Sequence, residues 1–72
     1  GYLGINKTNP STHLDVNGSG KFSGYVQFGS YTTTNRGNLT PANGMIIYNT
    51  TVNKFQGYQN SSWINLDNGS AA

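Results

Sequence analysis

Residues 44–66 read GMIIYNTTVNKFQGYQNSSWINL, three strand-length runs separated by two polar turns. Successive side chains of a strand point to opposite faces, so each run sorts into two sets. Met45, Ile47 and Asn49 oppose Ile46 and Tyr48; Phe55, Gly57 and Gln59 oppose Lys54, Gln56 and Tyr58; Trp63 and Asn65 oppose Ile64 and Leu66. Each run offers one face apolar enough for a core and another carrying Asn, Gln or Lys. This predicts an antiparallel meander, wet on one side, with strands at 45–49, 54–59 and 63–66 joined through TTVN and NSS. Strands so short need a surface to pack on.

Little apolar material remains to build that surface. The chain has 72 residues, only 33% of them hydrophobic, and five of those are tyrosines with a polar tip. Single cores of this size rarely contribute more than about 3–5 kcal/mol. There is no cysteine to form a disulfide, and one histidine with two aspartates makes a poor metal cage. Oligomerisation is the remaining common route to stability. The expectation is a domain that folds only with further copies of itself.

Asn, Ser, Thr and Gly make up half of the chain, a mixture that in other settings signals disorder. Here strand periodicity and spread aromatics argue for folding, and charged residues are only 8%. The net charge of +2 comes from Lys7, Lys21, Arg36 and Lys54, which stand apart and form no patch for nucleic acid. No stretch resembles a membrane span or signal peptide. The chain opens on GYLGI without an initiator Met, and reads as a piece of a longer protein.

Apolar residues nowhere recur at helical spacing, so an all-β fold is expected. GYLGI is a short strand, NKTNPST a turn on Asn9-Pro10, and HLDV a second strand closed by Asn17-Gly18. In KFSGYVQFG, Phe22, Tyr25 or Val26, and Phe28 share a face only with a bulge near Gly24. SYTTTNRGNLTPANG reads as a polar loop with one edge strand at 31–34. The organisation is therefore an N-terminal, shaft-like β segment over 1–30, a connecting loop over 31–43, and the meander over 44–72.

These segments resemble phage fibre modules. GYLGINKTNPSTHLDVNG is similar to the recurrent G-I-G-T-x-x-P-x-x-x-L-D-V-x-G segment of phage fibre and spike proteins, through Leu3, Gly4, Ile5, Pro10, Leu14, Asp15, Val16 and Gly18. Asn6 and Lys7 stand in place of its Gly-Thr pair. LTPANGMIIYNTTVNKFQGYQNSSWINL looks like a module near the ends of phage tail fibres, particularly those of cyanophages. Its marks are Pro41, Gly44, Met45, Ile47, Tyr48, Asn49, Lys54, Phe55, Gln56, Tyr58, Trp63 and Leu66. Short antiparallel hairpins and the three-stranded meander are the expected elements, and the resemblance implies that they are intertwined in a parallel, fibre-like homotrimer on a virion or other extracellular surface. The implied partners are further copies, other fibre or appendage subunits and a host surface glycan. The first segment also occurs in bacterial surface proteins, so a bacterial extracellular filament is the alternative. A monomeric carbohydrate-binding module is a third reading. Some phage fibres carry a self-cleaving domain after the G-I-G-T segment, but no Ser-Lys dyad context is visible here.

Other motifs carry little chemistry. DVNGSG sets Asp15, Asn17, Ser19 and Gly20 at the first ligand positions of a calcium loop, but Val26 occupies the site of its bidentate Glu. It reads as an Asn-Gly turn with Asp15 bonding its own backbone. Gly18, Gly20 and Gly24 lack dinucleotide-loop spacing, and no helix follows to receive a phosphate. His13 stands alone. The one conceivable carboxylate pair, Asp15 with Asp67, lacks the cleft a hydrolase builds around such a pair, so neither an enzyme nor a cofactor is expected. Six N-x-S/T sequons are no more than such a composition yields by chance.

The aromatics Tyr48, Phe55, Tyr58 and Trp63 fall within cross-strand reach of one another. Ile47, Phe55, Ile64 and Leu66 are the expected trimer core, with Ile47, Ile64 and Leu66 turned to the trimer axis. Trp63 then packs sideways with Tyr58 near the surface. Tyr58, Asn60, Ser61, Ser62 and Trp63 are the expected glycan contact, a stacking ring beside hydroxyl-binding groups.

Overall fold

A computed structural model describes all 72 residues. Strands β1 (Leu3–Ile5) and β2 (Leu14–Val16) form one small sheet. Strands β3 (Ser30–Tyr31), β4 (Ile46–Asn49), β5 (Lys54–Gln59) and β6 (Ser62–Asn65) form a second, in that spatial order. A single helical turn, α1 (Thr33–Arg36), lies between β3 and β4. The fold is all-β.

The meander arises from its turns. Asn60 and Ser61 both adopt left-handed backbone, with φ of 51° and 60°, the pair of positive angles that a type I′ hairpin requires. That turn sets Tyr58 opposite Trp63 and Gln56 opposite Asn65. Between β4 and β5 the TTVN loop ends on Asn53, also left-handed at φ 56°. It pairs Ile47 with Gln56 and Tyr48 with Phe55. Beyond β6, Gly69 turns the chain at φ 72° and the C-terminal residues run back along the strand. Asn65 N–H donates to Ser70 O at 2.8 Å and Ala72 N–H to Trp63 O at 3.1 Å. The β6 edge is thereby covered.

Several expectations need correction. Both β1–β2 and β3–β4 pair in parallel rather than as antiparallel hairpins. In the first case, residues 6–13 bend back over Gly4, where a Cβ would sit 2.7 Å from Lys7 O. The chain so re-enters beside β1 in the same direction. The predicted edge strand at 31–34 shrinks to β3, because Thr32 caps a helical turn, its Oγ1 accepting from Asn35 N–H at 3.1 Å. Residues 21–29 form no strand: no backbone group in the chain bonds to residues 21–28, and Gly29 makes a single bond, its O accepting from Tyr48 N–H. β4 starts one residue later than expected and β6 is shifted one residue earlier, differences usual at strand ends. Leu66 still donates its N–H to Phe55 O at 3.0 Å.

The largest correction concerns the buried face. Residues paired directly across antiparallel strands share a face. Ile47, Gln56 and Asn65 therefore lie on one side, with Asn49, Tyr58 and Trp63; Ile46, Tyr48, Phe55, Gly57 and Ile64 lie on the other. The amide-bearing side, expected to be wet, is the buried one. Asn49 is 0% exposed, Gln56 is buried beside it, and Ile47 is the only buried hydrophobic residue. Its cover is α1 and the C-terminal return.

The chain is consequently open. Its radius of gyration is 13.9 Å, against about 11 Å for a compact domain of this length. Its accessible surface is 5582 Å², where about 4,300 Å² is typical of a 7.7 kDa monomer. The excess is roughly 1,300 Å². Backbone groups are short of partners too, with 27 backbone–backbone hydrogen bonds where about 50 are usual for this length.

Candidate functional site

Phe55 stands at the centre of the uncovered side of the second sheet. Tyr48 meets it edge-on at 5.0 Å between ring centroids, and Phe28 reaches it from the preceding loop at 6.3 Å. Gly57 leaves a notch on this side that the Leu66 side chain fills, with Leu66 Cδ2 3.0 Å from where a Cβ would be. Phe55 remains 49% exposed and Leu66 45%, with Ile46 and Phe28 in a similar state. These rings and aliphatics form one apolar ridge.

A hollow flanks the ridge on each side. The first, of about 540 Å³, lies between Tyr25, Val26 and Phe28 on one wall and Tyr48 and Phe55 on the other. The second, of about 480 Å³, runs from Tyr48 and Phe55 to Leu66. Lys54 and Asp67, an ion pair at 3.1 Å, also line it.

On the covered side the amides of three adjacent strands are linked. Asn49 Nδ2 donates to Gln56 Oε1 at 2.9 Å and to Thr33 Oγ1 at 3.1 Å, while Asn49 Oδ1 accepts from Thr51 N–H at 2.9 Å. Gln56 Nε2 donates to Asn65 Oδ1 at 2.9 Å, and Arg36 Nη1 donates to Gln56 Oε1 at 2.8 Å. No buried side-chain polar atom lacks a partner. The network holds α1 against the sheet, because Arg36 and Thr33 both enter it from that turn.

Arg36 also lies over the Trp63 indole, 5.5 Å from the ring centroid, and Tyr58 meets the indole edge-on at 5.2 Å. A shallow groove of about 360 Å³ here is lined by Tyr58, Ser61, Ser62, Trp63, Leu39 and Pro41, together with Arg36. Ser61 is fixed by its N–H, which donates to Asn43 Oδ1 at 2.9 Å. The structure thus brings four of the five expected glycan residues together and leaves Asn60 at the tip of the turn. Arg36, Leu39 and Pro41 also line this groove; they are remote from it in sequence, and no helix was expected there to bring Arg36 to it.

Of the expected core set, Phe55 and Ile64 share the uncovered side, and Leu66 reaches across it to Gly57. Ile47 is on the opposite side, beside the buried amides, so it does not share a sheet face with Ile64. A one-residue shift of register reverses a side chain's face, and counting along each strand separately could not align the three.

The N-terminal sheet is similarly one-sided. Leu3, Ile5 and Leu14 line one side and are each about half exposed. On the other, Asp15 accepts from Ser11 N–H at 3.0 Å and Ser11 Oγ at 3.2 Å, with Lys7 3.9 Å away. The Ser11 backbone bond, chiefly, holds the carboxyl below its ordinary pKa. Asp15 thus bonds upstream, not into the Asn17-Gly18 turn as expected, because the bend after Pro10 turns the Ser11 N–H towards it.

A family model described as "Phage tail like trimerisation region" matches residues 4–72. The chain belongs to this family. The match spans both sheets and the loop between them, so the N-terminal ribbon and the meander are parts of one phage-tail-like trimerisation region. This family is a structural one of phage-tail type rather than a family of enzymes. No curated protein and no solved structure matches the chain. No helix of this trimerisation region is long and apolar enough to cross a membrane.

Proposed function

We propose that the chain is a self-trimerising structural module of a phage tail fibre or related virion appendage, assembled through the Phe55 ridge. One observation carries this reading: the polar amide side of the second sheet is covered within the chain, while the apolar side is left open. A chain built to stand alone would bury these sides the other way round. The surface excess of roughly 1,300 Å² is of the size that contacts with two neighbours remove, since a standard interface takes about 800 Å² from each partner. In the trimer Phe28, Tyr48, Phe55, Ile64 and Leu66 pack towards the neighbours, and Ile47 remains in each protomer's own small core. Other fibre subunits continue the shaft from this module.

Sedimentation of the chain across a dilution series tests the reading. A folded trimer that loses structure as it dissociates is the expected result, because obligate oligomers have no stable monomer. A folded 7.7 kDa monomer with a concentration-independent melt overturns it.

A second reading concerns the Trp63 groove, which combines an indole, a tyrosine, two serine hydroxyls and a guanidinium at the surface. That set suits a host surface glycan, with apolar sugar faces against the rings and hydroxyls on Ser61, Ser62 and Arg36. Trp63 is the only tryptophan, so its fluorescence reports binding directly. Titration with oligosaccharides from host envelopes should change the emission and saturate; a flat response across such a panel ends this reading.

A further inference from the structure

No residue from 18 to 28 enters a backbone–backbone hydrogen bond within the chain. The same stretch carries four large apolar side chains, with Tyr25 90% exposed and Phe22 66%, besides Val26 and Phe28. Its sequence, GSGKFSGYVQF, has one charge and no proline, and its second half is rich in residues that favour strands. An exposed apolar stretch with open N–H and C=O groups is a ready template for another strand.

The adjoining edge is open as well. Tyr48 and Thr50 donate their N–H groups to Gly29 O and Tyr31 O, both at 2.9 Å. Ile46 lies on the same edge, two residues earlier, and bonds to nothing there. The hollow of about 540 Å³ between residues 25–28 and Phe55 begins at this point. The arm therefore forms one wall of a vacancy and itself lacks a partner.

We infer that residues 21–28 are a trimerisation arm, which pairs as a β-strand with the same arm of a second copy and fills that copy's hollow with its aromatic side chains. This rests on the trimer reading proposed above, and names the segment that joins the copies. A second copy is the fitting occupant on three counts. The chain belongs to a trimerising family. Its excess surface matches what neighbouring copies cover. The arm and hollow carry almost no charge, Lys21 apart, so like meeting like brings little repulsion. Each protomer then gives an arm to one neighbour and receives one from the other, and three such contacts close into a ring.

Hydrogen exchange on the 72-residue chain, read peptide by peptide beside sedimentation on the same sample, tests this. In a trimer, the amides of residues 21–28 should exchange far more slowly than an unpaired segment allows, and lose that protection on dilution to monomer. Val26→Pro removes an N–H that nothing in the chain uses. It should raise the concentration needed for assembly about tenfold or more, as losing a strand hydrogen bond together with strand geometry does. A trimer whose arm amides exchange freely, or whose assembly is indifferent to Val26→Pro, overturns the inference and leaves trimerisation standing. A monomer overturns both readings, and protection of the arm in that monomer shows that it folds back on its own chain.

Discussion

Asn49 and Gln56 are diagonal neighbours on one face of β4 and β5, joined amide to amide at 2.9 Å, and Asn49 is wholly buried. This pair sits where a monomeric sheet would carry aliphatics. Each Asn49 side-chain atom capable of bonding does so, to Gln56, Thr33 and Thr51. Buried polar networks are tolerable only when fully satisfied, and costly when one member is removed.

Asn49→Ala should therefore destabilise the fold by about 1–3 kcal/mol, the usual cost of stranding buried hydrogen-bonding groups. Asn38→Ala, an exposed change, should cost less than about 0.5 kcal/mol. Thermal melts of the two variants at one concentration make the comparison. Equal melting temperatures would mean that water satisfies the Asn49 partners as well as the amide does.

Phe55→Ala and Leu66→Ala act on the open side. Each should weaken assembly by about 2 kcal/mol or more, the scale of an interface hot spot, and the midpoint of the dilution curve reads this. Ile47→Val should leave that midpoint unmoved beyond its effect on folding, because Ile47 faces the protomer's interior. Assembly impaired by Ile47→Val but not by Phe55→Ala would put the interface on the wrong side of the sheet.

Trp63→Ala removes the edge-on contact with Tyr58 and the Arg36–indole contact. These are worth about 0.5–1.5 and about 0.5–1 kcal/mol at such sites. The variant should melt lower yet sediment as a trimer. A Trp63→Ala chain that stays monomeric would place the indole in the interface and remove the glycan reading of its groove.

Asp15 makes the N-terminal sheet sensitive to acid. Its carboxyl is held below the ordinary value mainly by the Ser11 N–H, so the folded state favours the ionised form. The resulting stability is present above the ordinary aspartate pKa and disappears as pH falls through the lowered folded value. Amide exchange at β1 and β2 should quicken over that acidic window, and Asp15→Asn should abolish the pH dependence there. Chelators should leave the melt unchanged at neutral pH, since Asp15 is engaged with Ser11; a calcium-reversible loss of stability would restore the calcium-loop reading.

Gly4→Ala should also disrupt the N-terminal ribbon, because the new Cβ would lie 2.7 Å from Lys7 O, a backbone atom with little freedom to move. Loss of protection at β1 and β2, with the meander unaffected, is the expected exchange pattern. Unchanged protection at β1 would show that residues 6–13 can lift away from Gly4.

Much of the architecture was legible in the residues alone. Period-two alternation and the polar turns marked the meander, the low apolar content called for further copies, and the quoted segments pointed to a trimerising module of phage-tail type. Strand direction at β1–β2 and β3–β4 was not legible, because it depends on how residues 6–13 bend over Gly4 and where α1 turns the chain.

Nor could alternation decide which side of the meander is buried. It separates Ile47, Gln56 and Asn65 from Tyr48, Phe55 and Ile64 only once the I′ turn at Asn60-Ser61 and the Asn53 turn align the strands. The choice then falls to distant pieces: Arg36 and Thr33 reach the amides from α1, and the C-terminal return covers β6. Satisfying a buried amide needs specific partners at hydrogen-bond distance, which only the folded chain supplies. Apolar surface needs only exclusion from water, which the single chain does not supply for Phe55, still 49% exposed.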